Sequence, residues 1–87
     1  MTHAQQRTLD YILTRAATDG VKVDVRPPRD IHEGVGLTVR IGHNRETLGI
    51  APDGYALHLG GFESSASVDW AFTTVDGANN RQLGLAL

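Results

Sequence analysis

Apolar and polar residues alternate with a period of two on both sides of the turn Pro52-Asp53-Gly54, and the rest of the chain is arranged around that hairpin. Before the turn Leu48 and Ile50 alternate with Thr47, Gly49 and Ala51. After it Tyr55, Leu57 and Leu59 alternate with Ala56, His58 and Gly60. Alternation of this kind gives a strand one apolar face. Proline presets φ, aspartate bonds its own backbone and glycine accepts positive φ, so the three residues between the runs favour a turn for three separate reasons.

Two further runs have the same period. Val21, Val23 and Val25 alternate with Lys22, Asp24 and Arg26, and Leu37, Val39 and Ile41 alternate with Thr38 and Arg40. Pro27-Pro28 stops the first run, because proline cannot donate to a ladder and restricts the residue before it. The charged segment Pro27 to Gly36 reads as a surface loop, and Gly42-His43-Asn44-Arg45 as the turn into the central hairpin. The four runs together predict an antiparallel four-strand meander that is apolar on one face.

A helix precedes the meander. Thr2-His3-Ala4-Gln5 has the form of a capping box, Leu9, Ile12, Leu13 and Ala16 recur at three- and four-residue spacing, and Gly20 is placed to end the helix. Tyr11 lies off that stripe and is expected at the surface. The segment 65–76 fits two periods. Val68, Ala71, Phe72 and Val75 make a helical stripe with Ser64 or Ser65 as cap and Gly77 as stop, while Ala66, Val68, Trp70 and Phe72 make a strand face. The serine cluster and the need for a second cover on the sheet favour the helix, which leaves Trp70 opposite the stripe and partly exposed. Leu83, Leu85 and Leu87 alternate again and suggest a final edge strand, through which a homodimer is expected because no charge guards it. The fold class is therefore α+β in one domain, residues 1–87: N-terminal helix, four-strand meander, second helix and C-terminal edge strand.

Composition narrows function mainly by exclusion. The chain has 8 basic and 10 acidic residues, a formal charge of −2, so sequence-independent binding to nucleic acid or anionic lipid gains nothing from net charge. It has no cysteine, which removes thiolate chemistry and cysteine-based zinc sites. No apolar run approaches the length of a signal or membrane segment, and a cytoplasmic location is expected.

Chemistry-bearing residues form no recognisable constellation. His32-Glu33, His43 and His58 show no spacing that sets two imidazoles on one helical face, so no metal is expected. Ser64, Ser65 and Ser67 lack a nucleophile elbow and read as capping residues. Gly34-Val35-Gly36 and Gly60-Gly61 lack the rest of a phosphate fingerprint, and Asp30 and Glu33 sit in a loop where charge is ordinary. No catalytic residue and no cofactor is assigned.

Contact surfaces are better candidates. Lys22, Arg26 and Arg40 project from the polar face of the meander, with His58 expected near them, and Asp24 interrupts the strip. Aromatic residues and arginine carry disproportionate interface energy, which adds Tyr11 and Trp70. The sequence thus predicts a small non-catalytic interaction module that binds a protein partner through Trp70, Tyr11, Arg40, Arg26 and Lys22. Its size alone suggests an accessory or inhibitory protein of a phage or mobile element, of the anti-defence kind. The alternative is a nucleic-acid-binding module using Lys22, Arg26 and Arg40, and the third reading is a small metal-assisted enzyme.

Overall fold

Thr2 caps the first helix, as its spacing from Gln5 predicts. In the computed structural model, which describes residues 1–61 and 65–85, with side chains for 1–61 and 66–81, the Thr2 hydroxyl accepts from the Gln5 amide at 3.0 Å. The Gln5 side chain accepts from the Thr2 amide at 2.8 Å. Helix α1 runs His3–Asp19 and ends at Gly20, whose φ of 70° suits a residue without a Cβ. Its buried face is Gln5, Thr8, Leu9, Ile12 and Ala16. Leu13, expected on that face, is 37 % exposed. The step of about 100° per residue carries it past the stripe that Leu9, Ile12 and Ala16 define.

Strands β1 (Lys22–Arg26), β2 (Val35–Ile41), β3 (Asn44–Ile50) and β4 (Ala56–Gly61) form one antiparallel sheet in sequence order. Strand β2 starts at Val35, inside the stretch expected to be loop, because Val35 pairs with Ile50 and is buried. Strands β2 and β3 join through Gly42 and His43, with Gly42 at φ 61°. The meander is as predicted, but β4 faces the other way. The turn at residues 52–54 sets Ala51 opposite Tyr55 and Ile50 opposite Ala56, and residues paired across antiparallel strands share a face, so Ile50 shares its face with Ala56 and not with Tyr55. Ala56 and His58 therefore face the helices, while Tyr55, Leu57 and Leu59 face solvent. A bulge at Leu59, between the pairs Leu48 with His58 and Thr47 with Gly60, adds one more unpaired residue.

Contacts to the helices account for this register. The hydroxyls of Thr2 and Thr8 donate to the carbonyls of Pro52 and Gly54, both at 2.6 Å, which pins the turn on the first two turns of α1. At Gly54, φ is 90° and an added Cβ would lie 2.9 Å from the Ala4 carbonyl oxygen, so a side chain has neither the backbone freedom nor the room. Buried Gln5 donates to the carbonyls of Glu33 at 2.7 Å and Ile50 at 3.3 Å, tying the loop before β2 and the end of β3 to the same helix.

Helix α2 spans Ser65–Leu85, which settles segment 65–76 as helix. Its buried face is Ser67, Ala71, Thr74, Val75 and Ala78, and Phe72, expected there, is exposed. Gly77 does not stop it. The Tyr11 hydroxyl occupies the space a Gly77 side chain would need, so the glycine serves close approach of α1 and α2. Asn79 pairs with the first residue of β4 as a neighbouring strand would: the Ala56 amide donates to Asn79 Oδ1 at 2.8 Å and Asn79 Nδ2 donates to the Ala56 carbonyl at 3.0 Å. The expected terminal strand is overturned for Leu83 and Leu85, which lie in the last turns of α2, and the remainder of that expectation, at Leu87, lies outside the described residues. Ser64, the alternative cap, lies outside them too. Both helices cover one sheet face over a core that includes Leu9, Ile12, Val35, Leu37, Leu48 and Ile50. No described helix is long and apolar enough to cross a membrane.

Candidate interaction surface

Neither described helix lies over the second sheet face. Cross-strand pairing puts Lys22, Arg40 and Arg45 side by side on this face, because Lys22 pairs with Arg40 and Arg40 with Arg45. Asp24 and Arg26 alternate with Val23 and Val25 on β1 and share the face. Arg40 Nη2 lies 3.1 Å from Asp24 Oδ2, and at this exposure such a pair contributes at most about 1 kcal/mol. The opposite edge of the face is apolar. Tyr55 is 51 %, Leu57 42 % and Leu59 61 % exposed, in a row along β4 and the residue before it.

Two glycines lie between these halves. Gly36 and Gly49 pair across β2 and β3. A Cβ at Gly36 would sit 3.1 Å from the Arg26 guanidinium, and one at Gly49 would sit 3.0 Å from Leu59 Cδ1. The two side chains thus lie flat over bare backbone from opposite edges, and the centre of the face stays low.

Charge is segregated accordingly. Among the described residues, four basic side chains, Lys22, Arg26, Arg40 and Arg45, share this face with one acidic side chain, Asp24, a balance of +3 on a chain whose formal charge is −2. Of the residues picked from sequence, Lys22, Arg26 and Arg40 come together here. Arg45 was missed because it was read as part of the turn, although its two-residue step to Thr47, which alternates with Leu48 and Ile50, carried the signal. Tyr55, Leu57 and Leu59 were missed because their register places them outside.

Tyr11 and Trp70 do not join this surface. Tyr11 is half-buried between the helices, against Gly77, with the Arg81 guanidinium carbon 5.8 Å from its ring centre. Trp70 is half-buried against the core rather than opposite it, and its Nε1 donates to Asp19 Oδ2 at 2.8 Å. It borders the stripe of Ser67, Ala71 and Thr74 because position 70 is one turn from both 67 and 74.

His58 is the largest departure from expectation. It faces the helices, where its Nε2 lies 3.3 Å from Glu46 Oε2, and the Ser67 hydroxyl donates to Glu46 Oε1 at 3.1 Å. Glu46 is 1 % exposed, and an added Cβ on Gly61 would run into its carboxylate, so β4 leaves room for this group by having glycine there. The carboxylate stands between serine and histidine. These contacts, with Ser67 fully buried, join β3, β4 and the start of α2. The ring of Phe72 closes the site edge-on to His58, with centroids 4.8 Å apart.

The loop residues form a local unit. Arg29 holds Glu33 through Nη2 at 2.8 Å and its backbone amide at 2.8 Å, and this pairing keeps the Glu33 carboxyl below the usual carboxylate range. Asp30 accepts from the His32 amide at 2.7 Å. Among the described residues no group of three or more histidines or carboxylates could hold a metal ion. No protein-family model matches the chain, and neither a curated protein nor a solved structure is significantly similar to it.

Proposed function

We propose that the chain is a non-catalytic interaction module whose contact surface is the open sheet face and whose partner is a protein. The observation that carries this reading is the row Tyr55, Leu57 and Leu59, three large apolar side chains held side by side at the surface. A soluble domain seldom keeps such a row uncovered without a use for it. Apolar anchors beside an arginine-rich rim match the composition of protein interfaces, in which aromatic residues and arginine dominate the energy. The low centre over Gly36 and Gly49 admits a protruding segment between the two halves. Binding of this kind acts by occupying the partner's surface, which is how an accessory or inhibitory protein of this size would work.

Nucleic acid is the second reading, favoured by the +3 charge of the same face with Tyr55 at its edge. Among the described residues of this face Tyr55 alone is aromatic, and the other large apolar side chains of its row are leucines, which base stacking does not use. Affinity capture on immobilised wild-type protein and on a Leu57→Ser, Leu59→Ser variant separates the readings. A protein retained in near-stoichiometric amount by the wild type and lost by the variant is the expected result. Nucleic acid retained with the same dependence would replace the protein reading, and capture indifferent to the sheet face would remove both.

A further inference from the structure

On the other layer of the molecule, α1 and α2 enclose a groove of about 780 Å³, within the size range of small-molecule sites. Arg7, Tyr11, Thr14 and Arg15 line it from successive turns of α1, and Arg81 reaches it from α2. We infer that this groove is a binding site for a small oxyanion, a molecule presenting a phosphate or carboxylate group to Arg7 and Arg81. The site is independent of the open sheet face, and its failure would leave that reading untouched.

The argument is one of uncompensated charge in a concave place. Arg15 is neutralised by Asp19, with Nε 3.2 Å from Oδ2. The one carboxylate in the lining, Asp10, accepts from Gln6 Nε2 at 2.9 Å. Arg7 and Arg81 have no ion-pair partner among the described residues, so with Arg15 neutralised and Asp10 still charged the groove keeps a net charge of +1 and two unpaired guanidiniums, one from each helix. A guanidinium offers planar paired donors that fit two oxygens of a carboxylate or phosphate, which a lysine would not. Arg81 is also oriented in advance. Its guanidinium carbon lies 5.8 Å from the Tyr11 ring centre, and the Tyr11 hydroxyl is seated on Gly77, so ring and cation are set by the helix pair rather than by the ligand. Less side-chain freedom is then lost when an anion binds.

Titration with pyrophosphate and, separately, with citrate tests this, monitored by the arginine Nε–H and tyrosine ring signals in NMR at low ionic strength. Saturable shifts of Arg7, Arg81 and Tyr11 with a Kd of about 1 mM or tighter are expected for at least one anion, and which anion saturates distinguishes phosphate from carboxylate. Arg7→Gln and Arg81→Gln should each weaken binding by about tenfold or more. Both residues are exposed, so the amide spectrum should stay otherwise unchanged. Arg29→Gln, which removes a charge far along the chain in the loop before β2, should have no effect. Absence of saturation by both anions, saturation that survives the Arg7→Gln, Arg81→Gln double variant, or equal weakening by Arg29→Gln would overturn the proposal.

Discussion

Replacing Gly77 by alanine sets two opposed terms against each other at the contact between the helices. Glycine inside a helix costs about 1 kcal/mol relative to alanine, so Gly77→Ala in an unobstructed helix should stabilise by that amount. Here the added methyl would overlap the Tyr11 hydroxyl and lie 3.2 Å from its Cζ. Relieving an overlap of that kind in a packed region costs about 1–3 kcal/mol. The net expectation is a loss of up to about 2 kcal/mol, with Tyr11 displaced from its seat. In a Tyr11→Ala background the obstruction is gone, and the same substitution should stabilise by about 0.5–1 kcal/mol. Urea denaturation of the four proteins gives the coupling directly, expected at about 1–3 kcal/mol. Gly77→Ala stabilising the wild type by its full helical benefit would refute the seating of Tyr11 on Gly77, and with it the fixed orientation of Arg81 in the groove.

Two other substitutions follow from the same geometry. Gln5→Leu keeps the volume at a fully buried position but removes the donor to the Glu33 and Ile50 carbonyls and half of the capping box, so it should cost about 2–4 kcal/mol and speed amide exchange at Val35, as thermal melts and exchange would show. Trp70→Ala removes a half-buried ring and the bond to Asp19 and should cost about 1–3 kcal/mol, whereas Trp70→Phe, which keeps most of the packing, should cost less than about 1 kcal/mol; equal losses by calorimetry would contradict the placement.

The elements signalled by local chemistry were legible in the sequence. Thr2, Gln5 and Gly20 marked the ends of α1 because capping involves residues close along the chain, and Pro52-Asp53-Gly54 marked the hairpin for the same reason. What was not legible depended on contacts distant in sequence. A period of two says that Tyr55, Leu57 and Leu59 share a face, but which face depends on which residues the turn sets opposite one another, and the hydroxyls of Thr2 and Thr8 help to hold that turn from α1. Gly77 read as a stop because its use, making room for Tyr11, lies 66 positions away in the chain. Nothing in its neighbours along the chain marks Glu46, because β4 brings His58, and α2 brings Ser67, to its carboxylate. Of the proposed surface, Lys22, Arg26 and Arg40 were found from alternation, and Arg45 was not. The apolar half was read as core, and a strand that puts its larger side chains outward against that expectation is where function is to be sought.

The charge on the open face constrains what can cover it. Two copies stacked through this face would bring +3 against +3 at the spacing of packed sheets, about 10 Å. In water each such like-charge pair costs about 0.4 kcal/mol, and more where the leucines exclude solvent. Facing like charges at that spacing subtract from the gain of burying Tyr55, Leu57 and Leu59, so a symmetric dimer gains less from this face than an oppositely charged partner does. A partner that presents apolar side chains flanked by carboxylates meets both halves at once, with the leucines supplying contact area and the arginines steering approach. Its association rate should fall with added salt more steeply than its dissociation rate rises, since charges at the rim act mainly on encounter. Arg40→Glu with Arg45→Glu should slow association on a biosensor surface while leaving the melting temperature nearly unchanged, and a change confined to dissociation would instead place the arginines inside the contact.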